Sequence, residues 1–191
     1  MHSFKSFLSN FLEVSGADWQ IILPKLEHFN CSKGDVLTEL GKIESNIYFL
    51  QKGAARMYYE KENKDITVSI GFPGSFISSY TSFLNREKSD FTLSTLTSCE
   101  GVAISHEALQ FLYQNTECGH QLSRIVTEEF FLYLSRRVND FLLKSPTERY
   151  LDMLEQQSRL IQEIPQKYLS SYIGITPQAL SRIRAKLGQA H

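Results

Sequence analysis

Apolar residues along this chain change their period twice. In "SFKSFLSNFL" (3–12) and "ADWQIILPKLEHF" (17–29) they recur at three and four, the spacing of one face of a helix. From residue 34 the pattern shortens. "GDVLTEL", "NIYFLQKG", "AARMYYE", "DITVSIGF", "FTLSTLTS" and "EGVAIS" are short, rich in β-branched and aromatic residues, and separated by turn material. The charged "EKENKD" (60–65) reads as a hairpin loop, and Gly34, Gly41 and Gly53 punctuate the run. Six such segments predict an antiparallel sandwich or jelly roll.

The helical period returns at "HEALQFLYQN" (106–115), followed by a longer helix from about Thr116 to Lys144. Leu122, Val126, Phe130, Leu134 and Val138 recur every four residues, and Ile125, Phe131, Phe141 and Leu142 widen the stripe. At 1.5 Å per residue this helix is ~40 Å long. Its stripe is wider than one sheet face needs, which suits a dimer seam; a helix packed only on its own chain is the alternative. In "SPTERYLDML", Ser145 sits as N-cap, Pro146 at the first helical position and Glu148 three residues after the cap, so a helix ends near Lys144 and another begins at once. The predicted class is α+β: a β-roll with flanking helices over 1–115, a dimerisation helix over 116–144 and an all-α domain over 145–191.

The last stretch, "QKYLSSYIGITPQALSRIRAKL" (166–187), carries the function. Leu169 and Ile173 precede Gly174, and Ile175, Leu180, Ile183 and Leu187 follow it. Two short helices bury these side chains together only if the chain reverses at the glycine, which allows a left-handed helix exit. Thr176 then caps a second helix and Pro177 starts it. The result is a helix-turn-helix. With Leu180, Ile183 and Leu187 inward, Gln178, Ser181, Arg182, Ala185 and Lys186 face outward. Glutamine and arginine make bidentate hydrogen bonds to purine edges, and small neighbours permit close approach. Lys167, Arg184 and Lys186 are placed to neutralise phosphates. A basic hairpin that packs on the core or on a protein is the competing reading.

Charge sharpens this. The chain carries 20 Lys/Arg and 21 Asp/Glu, a net −1, but every acid lies at or before Glu163. Residues 1–163 hold 16 bases against 21 acids, −5, and residues 164–191 hold Lys167, Arg182, Arg184 and Lys186 against none, +4. A carboxylate in that tail would repel a polyanion. Three scattered cysteines (Cys31, Cys99, Cys118) form neither a metal-ligand spacing nor a disulfide framework and read as small buried hydrophobes. There is no apolar run of membrane length and no signal-peptide core, so a cytoplasmic protein without a membrane partner is expected. No G-x-S-x-G, P-loop or H-E-x-x-H motif occurs and His2, His28, His106, His120 and His191 are isolated, so neither catalysis nor a metal site is expected.

These segments resemble the Crp/Fnr regulators. The tail is similar to their C-terminal DNA-binding motif, "KGDVLTELGKIESNIYFLQKGAARMYY" to their glycine-punctuated cyclic-nucleotide-binding-like roll, and "SPTERYLDMLEQ" to the first helix of their DNA-binding domain. The resemblance spans roughly residues 20–187. It implies a homodimer joined through the long helix, double-stranded DNA as partner, RNA polymerase as a further one, and base reading by Gln178 and Arg182, with Thr176, Pro177 and Ser181 beside them. Pro177 stands where some relatives place a further contact residue, and it cannot donate.

The chain also departs from that pattern. Cyclic-nucleotide binders of this fold use a glutamate for the ribose and an arginine for the cyclic phosphate. Here the stretch reads "FPGSFISSYTSFLNREKSDFTLSTL": no glutamate stands at the Ser75–Ile77 turn, Arg86 and Lys88 lie in a loop at the wrong offset, and Asp90 would oppose a phosphate. Cyclic AMP is therefore not an expected ligand. Ser75, Ser78, Ser79, Tyr80, Thr81, Ser82 and Arg86 are candidates for contacting another small polar ligand, or are turn-forming hydroxyls. No other cofactor is expected; haem on His28 or His106 is the one alternative the resemblance offers. Only Gly188–His191 follow the recognition helix, so the two-stranded wing of many relatives is expected to be missing. A ligand-sensing or protein-interaction module with a degenerate helix-turn-helix remains the second reading of the whole chain.

Overall fold

A computed structural model describes residues 2–62 and 64–188. Helices α1 (His2–Ser9) and α2 (Gly16–Ile22) lead into strands β1 (Glu27–Cys31), β2 (Val36–Thr38), β3 (Asn46–Lys52), β4 (Ala55–Lys61), β5 (Lys64–Gly71) and β6 (Phe76–Ile77). Helix α3 (Tyr80–Asn85), strands β7 (Thr92–Thr95) and β8 (Cys99–Ser105), and helices α4 (His106–Asn115), α5 (Gly119–Leu143), α6 (Pro146–Glu163), α7 (Gln166–Ile173) and α8 (Pro177–Gly188) complete the chain. The strands form two four-stranded antiparallel sheets, ordered β1-β8-β3-β6 and β2-β7-β4-β5. This is the expected α+β architecture.

The core of the roll is aromatic. Phe4 of α1 packs edge-on against Phe49 of β3 with ring centroids 5.2 Å apart, and Phe76 lies 5.2 Å from Phe49. Leu122, Ile125 and Val126 of α5 enter the same cluster, so the first half of the long helix belongs to the roll. The β3–β4 turn depends on Gly53: its φ is +80°, and a Cβ there would lie 2.1 Å from the Ser98 carbonyl oxygen.

Four local expectations need correction. The helical reading of 17–29 holds only to Ile22; a 3₁₀ turn over Leu23–Lys25 follows, and residues 27–31 are a strand. Pro24 has no N–H to continue the α-helix, and pairing His28 with Val102 of β8 satisfies the backbone instead. The short β6 and α3 lie in the stretch 73–90, where hydroxyl and turn residues mask both patterns. The long helix begins only at Gly119, because Thr116 is the extended C-cap of α4, its N–H bonded back to the Leu112 carbonyl. Of the cysteines, Cys99 and Cys118 are buried but Cys31 is only half-buried. Asn63 in the charged hairpin and residues 189–191, on which part of the missing-wing expectation and the isolated His191 rest, lie outside the described residues. Among the described residues no helix is long and apolar enough to cross a membrane.

Candidate nucleic-acid interface and sensor pocket

The C-terminal helices are ordered by local devices. Ser145 Oγ accepts from the Glu148 N–H, while Glu148 Oε2 accepts from the Ser145 N–H at 2.7 Å, and Pro146 occupies the first turn of α6. Helix α7 ends at Gly174 with φ +84°; the Gly174 and Ile175 N–H groups both bond the Ser170 carbonyl. Thr176 Oγ1 then accepts from the Ala179 N–H at 3.2 Å and α8 begins at Pro177. Leu169, Ile173 and Leu180 are buried with Tyr150 and Ile161 of α6 and with Ile164, which caps it.

On α8 the outward face is as the spacing predicts: Thr176, Pro177, Gln178, Ser181, Arg182, Ala185 and Lys186 are exposed, and Ile183 and Leu187 turn inward. Lys167 is exposed at the start of α7, its Nζ 4.6 Å from the Tyr168 ring. Arg184 differs from these: it is half-buried, and its Nε donates to the Tyr150 hydroxyl at 2.9 Å. Lys64, on the roll, lines the same depression as Lys167, Thr176 and Pro177, a neighbour the local sequence does not reveal.

The hydroxyl-rich segment divides. Ser78, Ser79, Tyr80 and Thr81 line a cavity of about 420 Å³ between the roll and α5, closed by Phe76, Phe130 and Leu134. Ser75 is not there; its hydroxyl closes the β5–β6 turn with Phe72 and lines a second cleft. Ser82 is buried, accepting from the Glu44 N–H and donating to the Glu87 carbonyl. Arg86 directs Nη1 to the Glu44 carbonyl oxygen at 2.7 Å, away from the cavity. Ser89 donates to Ser79 across the segment at 2.7 Å, and Asp90 is exposed.

A carboxylate absent from the sequence expectation stands beneath this segment. Glu44 is buried, and its carboxylate accepts from Thr38 Oγ1 (2.8 Å), the Asn46 N–H (3.2 Å) and the Ser79 N–H (3.2 Å). Burial raises its pKa, and burial together with the Glu44 charge pushes the neighbouring Tyr48 hydroxyl up to about 12. Among the described residues no group of His, Cys, Asp or Glu is arranged to hold a metal; His28 is exposed and His106 lies edge-on to Phe83.

The helix pair is held to the roll by arginines. Arg56 of β4 is buried, its guanidinium 3.6 Å from both the Tyr58 and Tyr168 rings and paired with Asp65 at 2.6 Å. Ser171 of α7 accepts from the Thr67 N–H on the β5 edge at 2.9 Å. Arg149 of α6 bonds the Lys144 and Asp140 carbonyls at the end of α5 and the Ile173 carbonyl of α7. Arg137 of α5 lies 3.6 Å over the Tyr172 ring and donates to the Tyr172 carbonyl. None has a sequence signature, because each partner is remote along the chain.

Comparison with known proteins places this geometry. Residues 28–116, just under half of the chain, match the family model of the cyclic nucleotide-binding domain. Among curated proteins none matches the chain by sequence. The solved structures that share the fold include the c-di-GMP responsive global regulator CLP of Xanthomonas campestris, at 18% identity and TM-score 0.66, covering 92% of this chain and 93% of that one. FixK2 of Bradyrhizobium japonicum matches at 13% identity and TM-score 0.72, covering 86% and 85%. A protein of Eubacterium rectale assigned to the crp/fnr family of transcriptional regulators matches at 14% identity and TM-score 0.68, covering 95% and 88%. The chain thus shares its fold with those structures over most of its length, and residues 28–116 are similar to the cyclic nucleotide-binding domain.

Proposed function

We propose that the chain is a transcription regulator of the Crp/Fnr type that reads a palindromic operator as a homodimer and senses a ligand other than cyclic AMP. The observation that carries the first part is the solvent-facing row Gln178, Ser181, Arg182 and Lys186 on a helix whose opposite face buries Leu180. An acid-free tail with Lys167 and Lys64 beside the start of α8 supplies the phosphate-facing charge. Dimerisation through α5 would set the two recognition helices at a fixed half-site spacing. RNA polymerase is the partner such a regulator would meet on DNA.

Fluorescence anisotropy on the palindrome returned by a binding selection tests this. Arg182→Ala and Gln178→Ala should each cost about 1–3 kcal/mol and relax sequence preference at one position. Lys186→Ala should weaken all sequences alike and flatten the salt slope by about one per half-site. A selection that returns no preferred palindrome for the unsubstituted chain rejects the assignment and favours a protein-interaction module with a degenerate helix pair.

The second part rests on what replaces a phosphate cradle. Ser79 and Ser89 are buried and bonded to each other, the nearby carboxylate of Glu44 carries the wrong charge, and Arg86 is turned to a backbone carbonyl. A phosphate brought here would meet no cation from the roll, and Arg137 of α5, which also lines the cavity, is already engaged by the Tyr172 ring and carbonyl, a costly arrangement at low dielectric. Isothermal titration with cyclic AMP and cyclic GMP should show no micromolar binding to either; micromolar binding of one would overturn this reading.

A further inference from the structure

A cleft of about 270 Å³ opens where the β5–β6 turn, α5, α6 and α7 meet. Its polar walls are Tyr133, Arg136 and Arg137 of α5, Gln156 and Gln157 of α6, and Tyr172 of α7. Successive residues of a regular helix point about 100° apart. Gln156 and Gln157 both line the cleft, and α6 breaks there: Gln157 has φ −145° and ψ 45°. The kink thus lies in the wall of the cleft that the two arginines also line.

The charges of the cleft are unbalanced. Arg137 is half-buried, stacked on the rings of Tyr172 and Phe141, with Cζ 3.6 and 4.3 Å from their centroids. Burial lowers its pKa, the mark of a cation withdrawn from water without full compensation. Among the described residues no carboxylate lies within 4 Å of the Arg136 or Arg137 nitrogens. The one acid that lines the cleft, Asp140, is held by Lys144 at 2.7 Å. Guanidinium groups bind carboxylate and phosphate oxygens in a planar, bidentate way, and neutral amides beside them add donors without adding charge.

We propose that this cleft binds a small dianion, a dicarboxylate or a phosphate monoester, between Arg136 and Arg137 with the Gln156 and Gln157 amides as neutral donors. Its volume is below the ~300 Å³ at which drug-sized pockets begin, which restricts the ligand to a small metabolite. Phe72, Pro73 and Met153 offer an apolar wall for the carbon skeleton of such an acid. The site adjoins the roll cavity, with which it shares Tyr133 and Arg137, and contains no residue of α8, so its assignment does not rest on DNA binding.

Calorimetry on the full chain at low ionic strength tests it, with succinate, inorganic phosphate and glycerol 3-phosphate as probes and succinamide as the uncharged control. At least one dianion should bind with a Kd below about 1 mM while succinamide does not. Succinate as the tightest probe selects the dicarboxylate; glycerol 3-phosphate selects the monoester. Arg137→Gln also removes the contact to Tyr172, so Arg136→Gln and Gln157→Leu are the deciding variants. Arg136 is exposed, and its loss leaves the docking of α7 in place. Each of the two should weaken the bound probe at least tenfold. Failure of all three anions to bind, or undiminished binding in both Arg136→Gln and Gln157→Leu, overturns the proposal.

Discussion

In the proposed dimeric DNA reader, Leu134→Glu combined with Val138→Glu should give a folded monomer and weaken operator binding by at least about 100-fold. The reason lies in how α5 changes character along its length. Leu122, Ile125 and Val126 are buried in the roll, whereas Phe131, Leu134 and Val138 are 67%, 60% and 48% exposed. Phe141, Leu142 and Leu143 continue that exposed surface to the end of the helix. The spacing 131, 134, 138, 141 alternates three and four, the seam of a helix that meets a partner helix. An uncovered apolar stripe of this size on a stable protein marks an interface, and a second copy presenting the same seam satisfies it by two-fold symmetry. Four carboxylates brought together across the seam would be desolvated without cations, which prevents association. DNA affinity follows, because the second half-site is read at an effective concentration set by the dimer. Sedimentation velocity reads the mass and anisotropy the affinity. Far-ultraviolet circular dichroism should be unchanged, since neither side chain is in the buried core of its own chain. A variant that sediments as the same dimer would show that the copies pair elsewhere.

The helix pair α7–α8 was legible because its determinants are contiguous. Gly174 at positive φ, Thr176 and Pro177 at the start of α8, and Ser145 with Glu148 act within a few residues, so spacing alone identifies them. The longer strands were legible for a similar reason: β3, β4, β5 and β8 have enough residues to show β-branched and aromatic enrichment. Strand β1 was hidden because Leu23, Leu26 and Phe29 keep a helical spacing while the partner that makes residues 27–31 a strand is β8, some seventy residues on. The two halves of α5 looked like one stripe because periodicity does not say what covers an apolar face. The clamp residues Arg56, Arg137 and Arg149 were out of reach altogether. Arg56 touches Tyr168, Arg137 touches Tyr172 and Arg149 reaches Ile173, pairings that exist only once the helix pair is docked on the roll. The candidate pocket was half legible: a run of hydroxyls marks a polar segment, yet which of them face a cavity depends on α5 above and Glu44 below.

Glu44→Ala should be among the most destabilising single substitutions in the roll, costing about 2–4 kcal/mol at neutral pH. The side chain joins three elements: Thr38 ends β2, Asn46 begins β3, and Ser79 precedes α3. Alanine leaves two main-chain N–H groups and a hydroxyl without the acceptor they were desolvated to meet. The carboxylate has no cation to pair with, since Arg86 bonds the Glu44 main-chain carbonyl instead. Charge and acceptor roles separate by pH. Burial raises the Glu44 pKa above its ordinary 4.5, so the folded chain takes up this proton at a higher pH than the unfolded chain. The stability linked to that proton is fully present below about 4.5 and is lost as the pH rises through the folded value. Glu44→Gln cannot titrate, and its amide presents a donor where the carboxylate accepted. Urea unfolding should therefore show the unsubstituted chain's advantage over Glu44→Gln shrinking from pH 4.5 toward neutrality. An advantage independent of pH would mean that Glu44 titrates alike in both states and acts only as an acceptor; an advantage that grows with pH would mean that the fold favours the charged form.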